Sequence, residues 1–185
     1  LKLVTGVLQV QRSGVGFLIP DDKRKSDIFI SPSDFNTAWH GDRVAAAVLA
    51  ARTGKRAEGR IVRVIERKRQ TISARVLKKL GPVSYICRPT DPRLHLSMTL
   101  ELDEPLEPPI ELGDLVIAEP QERLEGDLWS ARLTQRLGPE NDVGVQEALV
   151  KTNHQVPTEF PDRVLNEIKL LPAEPSEEDM EGRKD

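Results

Sequence analysis

The chain holds 185 residues, 38% of them hydrophobic and 31% charged, with a formal net charge of −3. That much apolar material excludes wholesale disorder, no apolar run approaches the roughly 20 residues that cross a bilayer, and Leu1-Lys2-Leu3-Val4 opens no visible secretory signal. A single cysteine, Cys87, excludes an internal disulfide and suits a reducing, cytoplasmic compartment; with the scattered His40, His95 and His154 it makes no thiolate or multi-histidine metal site. Charge is unevenly spread. Residues 1–70 hold 14 Lys/Arg against 7 Asp/Glu, residues 71–137 hold 8 against 11, and residues 138–185 hold 5 against 12. A basic first third is the footprint of a polyanion partner.

In chain order, Leu3–Val10 reads as a strand broken by Arg12-Ser13-Gly14, and Val15–Ile19 as a second before the polar link Pro20–Lys25. Asp27–Ser31 alternates in the manner of a strand, Ser33–Trp39 holds a short helical turn capped by Ser33 or Asp34, and Arg43–Leu49 and Gly59–Ile65 add two more strands. Short strands separated by turn residues predict a small antiparallel barrel. A weaker copy follows: Gly41-Asp42-Arg43-Val44 recurs as Gly113-Asp114-Leu115-Val116, and Pro20-Asp21 has its counterpart in Pro89-Thr90-Asp91. Thr71–Leu77, Val83–Cys87, Leu94–Leu102, Leu115–Glu119 and Leu128–Leu133 are its strands, and the proline-rich run 105–109 is a loop.

The fold class is therefore mainly β: two tandem five-stranded antiparallel barrels at 1–69 and 70–138, then a helical connector and acidic tail at 139–185. In the connector, Val143–Lys151 forms a helix that Gly144 weakens. A second helix starts at Pro161, carries Val164, Leu165, Ile168 and Leu171 as an apolar stripe that needs a cover, and stops at Pro172.

Chemistry gathers in the first barrel. If Gly14–Ile19 and Asp27–Ser31 are both strands, Val15, Phe17 and Phe29 share one side while Leu18, Ile28 and Ile30 point inward. Gly14 and Gly16 would keep that surface low enough for a flat base to reach an aromatic ring. With Arg12, Lys23, Arg24, Lys25 and Arg43 around it, this face suits single-stranded nucleic acid. The competing reading makes Phe17 and Phe29 ordinary core residues. Trp39 reads as a barrel plug, His40 as a hydrogen-bonding turn residue, Cys87 as a buried strand thiol and Tyr85 as the second barrel's aromatic. No catalytic set is present: there is no Gly-Lys-Ser/Thr loop and no Gly-x-Ser-x-Gly, and no helix or βαβ unit follows Gly14-x-Gly16. Glu177-Glu178-Asp179 reads as a solvated linker.

Gly14–Ile19 and Asp27–Ser31 resemble the two RNA-binding strand motifs of cold-shock domains, which are OB barrels. His40-Gly41-Asp42-Arg43-Val44 and Gly59-Arg60-Ile61-Val62-Arg63-Val64 resemble the variant in the ribonuclease R/ribonuclease II exoribonuclease family. His154-Gln155-Val156-Pro157, Phe160-Pro161 and Glu181–Asp185 resemble that family's connector to its nuclease domain. The resemblance implies an N-terminal portion that grips single-stranded RNA and guides it to a 3′→5′ exoribonuclease domain, which packs on the connector. It implies magnesium on aspartates of that nuclease domain, in a run the family places beyond Asp185, and no cofactor or catalytic residue in this chain. Cold-shock proteins carry Phe where Val15 stands, Trp where a gapped alignment puts Val10 and His in place of Ser31, so weaker stacking per base is implied. The second barrel, acidic and poor in rings, reads as a guide wall or spacer. The alternative is a non-catalytic OB-fold adaptor that binds a protein.

Overall fold

The computed structural model describes residues 2–49 and 57–153. The helix expected from Pro161, its apolar stripe and the acidic tail lie outside the described residues.

Alternation sets the first barrel. In β1 (Lys2–Val10), Val4, Gly6, Leu8 and Val10 are buried while Leu3, Thr5, Val7 and Gln9 are exposed. β2 (Gly16–Pro20), β3 (Ile28–Ile30), β4 (Arg43–Val48) and β5 (Glu58–Glu66) close it in the order β1-β2-β3-β5-β4, antiparallel except where β5 runs parallel to β3. Leu8, Leu18, Ile30 and Val44 are wholly shielded inside, and each such side chain contributes about 1.5–3 kcal/mol by leaving water. The helical turn expected over Ser33–Trp39 is shorter: a single 3₁₀ turn, Pro32–Asp34, without a side-chain cap, followed by Asn36 at φ 56°, a conformation that cannot continue a right-handed helix.

The second barrel repeats the plan with β6 (Ile72–Lys79), β7 (Ser84–Pro89), β8 (Ser97–Glu101), β9 (Asp114–Glu125) and β10 (Leu128–Pro139). Its order is β6-β7-β8-β10-β9, again with one parallel pair, β8 with β10. The molecule is mainly β, as expected, with α1 (Val143–Asn153) after the barrels. β9 and β10 run well past the Glu119 and Leu133 at which alternation stops. Pro120 is accommodated because it faces Ala131 at a register shift, where no regular ladder bond is required, and Gly126 at φ 57° turns the hairpin. Gly144 does little harm to α1, because it lies in the first turn and its N–H is taken by the Asp142 carboxylate at 2.8 Å. No described helix is long and apolar enough to cross a membrane.

The repeated Gly-Asp element is an architectural device. Gly41 and Gly113 take φ of 93° and 89°, and their N–H groups donate to the carbonyls of Leu8 in β1 and Val76 in β6 at 2.7 and 2.9 Å. The aspartate that follows is buried in each barrel. Asp42 accepts the Trp39 N–H and Arg67, and Asp114 accepts the Glu111 N–H and Arg136. A carboxylate satisfied by a backbone N–H three residues back and by an arginine tolerates burial that would otherwise be costly.

Trp39 does act as a plug, but for the neighbouring barrel. It packs against the second barrel's core, with its ring 5.0 Å from that of Trp129 at 69°. The connection is reinforced by Arg69, which pairs with the buried Asp91 at 2.8 Å, and by Arg123, which donates to the carbonyl of Asn36 at 3.1 Å. Burial alone would raise the Asp91 carboxyl. Bonds from Arg93 and Arg69 outweigh it and hold the group well below the usual carboxylate range.

Candidate nucleic-acid interface

β2 and β3 place Phe17 directly opposite Phe29, with ring centroids 6.0 Å apart and planes at 76°. Both rings are half-buried on the outer face, while Leu18, Ile28 and Ile30 fill the interior at 0%, 4% and 0% exposure. Along this row, Gln9 of β1 stands beside Phe17 and Glu58 of β5 beside Phe29. The edge-to-face pair thus sits between two polar side chains, as a stacking platform at a barrel surface does.

The glycines have other duties than lowering the platform. Gly14 takes φ of 89° in the β1–β2 turn, where its N–H meets the carbonyl of Gln11 at 2.9 Å. Gly16 faces inward, and a Cβ there would lie 2.4 Å from the Phe35 ring, so glycine at 16 admits Phe35 into the barrel floor and leaves the outer surface unaffected. Val15 is half-buried at the end of that turn and Arg12 is exposed at its tip. Val10 points into the barrel at 4% exposure, which removes it from the outer face.

Lys23, Arg24, Lys25 and Arg43 gather at the opposite end of β2, around the β2–β3 connection, and all are exposed. Their charges are not all available. Arg24 and Lys25 both lie on Asp22, at 3.0 and 3.7 Å, and Arg43 bonds Asp21 at 2.8 Å. The arginine bonds draw both aspartates below the usual carboxylate range, and Asp21 in turn holds Arg43 above its ordinary value. Pairs this exposed exchange readily with other anions. Sequence reasoning passed over Gln9, Glu58 and Arg60, although the alternation Glu58-Gly59-Arg60-Ile61 marks the outward side of β5.

The second barrel lacks a comparable face. Tyr85 opposes Leu100 and is only 1% exposed, with its hydroxyl donating to the carbonyl of Pro82 at 3.1 Å. It is a core residue, and the outward pair on β7 and β8 is Ile86 with Thr99. His40 is half-buried, and its Nδ1 accepts the Val10 N–H at 3.0 Å; burial first, then Arg93, push its pKa down. Burial pushes the Cys87 thiol up to about 12. Among the described residues no three His, Cys, Asp or Glu side chains converge on a metal-sized site.

Residues 6–64 match the family model for the ribonuclease B OB domain. Over its whole length the chain is 29% identical to a ribonuclease R of Acidithiobacillus ferrooxidans, of which it covers 42%. It is 30% identical to ribonuclease R of Escherichia coli (strain K12), of which it covers 22%. The chain thus spans less than half the length of these relatives. Among solved structures, Mycoplasma genitalium RNase R in complex with ribose-methylated single-stranded RNA shares the fold at a TM-score of 0.79 and 19% identity, over 97% of this chain and 28% of that one. Yeast Ssd1, a pseudonuclease, does so at a TM-score of 0.67 and 17% identity, over 82% of this chain and 24% of that one.

Proposed function

We propose that this chain is the N-terminal OB-barrel portion of a ribonuclease R/ribonuclease II family protein, that it binds single-stranded RNA on the outer face of β2 and β3, and that it guides the RNA to a 3′→5′ exoribonuclease domain outside this chain. Phe17 and Phe29 would stack bases, with Val15 beside them. Arg12, Lys23, Arg24, Lys25 and Arg43 would draw in phosphates from both ends of the strands. The second barrel serves as a guide wall, and residues 139–185 lead on to the nuclease domain, which packs against them. The hydrolytic chemistry, with its magnesium, belongs to that domain, and the RNA is cytoplasmic.

The observation that carries this reading is the outward, half-buried edge-to-face pair of Phe17 and Phe29 on a face whose inward neighbours already complete the core. The test is a titration of labelled single-stranded RNA against the 185-residue chain. Stacking contributes about 1–3 kcal/mol per base, so Phe17→Ala and Phe29→Ala should each weaken binding roughly 5- to 150-fold while melting near wild type. Unchanged affinity in folded variants would put the protein-binding adaptor ahead.

A further inference from the structure

We propose that the outer row of β5, through Arg60 and Arg63, holds the phosphates of the RNA whose bases lie on Phe17 and Phe29; this rests on the RNA-binding reading above. The argument starts from which cations are already engaged. In the first barrel and the link after it, Arg24 and Lys25 lie on Asp22, Arg43 on Asp21, Arg67 on Asp42 and Arg69 on Asp91. A phosphate approaching any of these competes with a carboxylate already in place. Arg60 and Arg63 are exposed, and among the described residues neither has a carboxylate oxygen within 4.0 Å. Among the described residues, no carboxylate is paired with either guanidinium.

Position makes the same case. β5 is the strand next to β3, with Glu58 opposite Phe29 and Gly59 opposite Ile30. Arg60 is the next outward residue after Glu58, about 6.7 Å further along the strand. A register shift then brings Arg63 to the outer side opposite Ala45, while Arg60 faces Ala47. Alanine methyls leave the long arginine stems free to lie along the sheet with their charged ends raised. The Glu58 carboxylate beside Phe29 repels phosphate at its own end of this row. The gradient from Glu58 to Arg60 and Arg63 therefore sends the backbone away from the rings and along β5, leaving the bases on the platform.

The measurement is the salt dependence of oligouridylate binding to the 185-residue chain, compared among wild type, the Arg60→Gln/Arg63→Gln double variant, Arg132→Gln and Phe17→Ala. Each single-strand phosphate contact contributes about 0.7 to the slope of log affinity against log salt, so the double variant should be shallower by about 1.4. Each lost contact then weakens binding about fivefold for every tenfold drop in salt. Phe17→Ala should lose affinity at every salt with the slope kept, and Arg132→Gln, in the second barrel and paired with Glu119, should keep both. A double variant with the wild-type slope, beside a weakened Phe17→Ala, overturns the β5 path and leaves the RNA-binding reading standing. An equal loss of slope in Arg132→Gln reduces the effect to net charge and also overturns it. No weakening in any variant removes the RNA-binding reading, and this inference with it.

Discussion

The guanidinium of Arg67 lies 3.9 Å from the centroid of the Trp39 ring, and its Nη1 is 2.5 Å from the buried carboxylate of Asp42. One side chain therefore joins the Gly-Asp turn of the first barrel to the ring that enters the second. A cation over an indole contributes about 0.5–2 kcal/mol, more as water is excluded, and here the carboxylate fixes the cation in place.

Asp42→Ala should unsettle that join from within. The carboxylate is 1% exposed and accepts the Trp39 and Lys68 N–H groups as well as Arg67. Losing one partner of such a buried set costs about 3–5 kcal/mol. At this chain length that corresponds to a melting point lower by about 6–20 °C. A thermal melt of Asp42→Ala at the wild-type temperature would show that the repeated aspartate has no structural role in the first barrel.

Much of this architecture was legible in the sequence, for identifiable reasons. The apolar-rich run Leu3–Val10 and the alternation in Asp27–Ser31 announce strands, and the recurrence of Gly-Asp before Val44 and Val116 announces a second barrel. Tyr85 was not legible as core, because Tyr85, Ile86 and Cys87 are all apolar and a run without polar residues has no inward phase. Only the register against β8, Tyr85 opposite Leu100, decides it. The destination of Trp39 depends on packing against residues 90 positions away, such as Trp129, which no local pattern encodes. The carboxylate partners of the basic loop were present in the sequence as Asp21 and Asp22, but residue counting treats neighbouring opposite charges as a balance and does not show which cations remain engaged.

Gly16→Ala separates two meanings of that glycine. The added Cβ would sit 2.4 Å from the Phe35 ring, and overpacking of this kind costs about 1–3 kcal/mol. The variant should therefore lose stability, and pairing it with Phe35→Leu should recover part of the loss. A fully stable Gly16→Ala protein with impaired RNA binding would instead return the glycine to the outer surface.

Cys87 offers a pH test with a definite sign. Burial raises the folded-state thiol to about 12, whereas in the unfolded chain it titrates near about 8.5. The group's contribution is fully present below the unfolded value and is lost as pH rises toward 12, because only the unfolded state releases the proton. Denaturant midpoints should fall for wild type above about pH 8.5 and fall less for Cys87→Ala. In native protein at mildly alkaline pH the thiol should resist a disulfide reagent until denaturant is added. Rapid labelling without denaturant would place the sulfur at the surface.

Trp39→Ala tests whether the barrels melt as one body. The indole is a first-barrel side chain that packs against the second barrel's core beside Trp129, and removing a large aromatic from such a site costs about 3–5 kcal/mol when it is fully buried. Trp39 is half-buried, so the lower end applies. The loss falls on the join and on the second barrel's side of it, since Trp39 packs against the cluster of Met98, Leu100 and Ile110 and not against that of Leu8, Leu18 and Ile30. Wild type should therefore unfold in a single transition and Trp39→Ala in two, with Trp129 fluorescence following the second barrel alone. Truncation also strips the ring from beneath Arg67, so Arg67→Met, which keeps an apolar cover over an intact Trp39 but leaves Asp42 without its arginine, should melt lower and still in a single transition. A single, unshifted transition in Trp39→Ala would mean that Arg69 with Asp91 and Arg123 with Asn36 hold the barrels together without the indole.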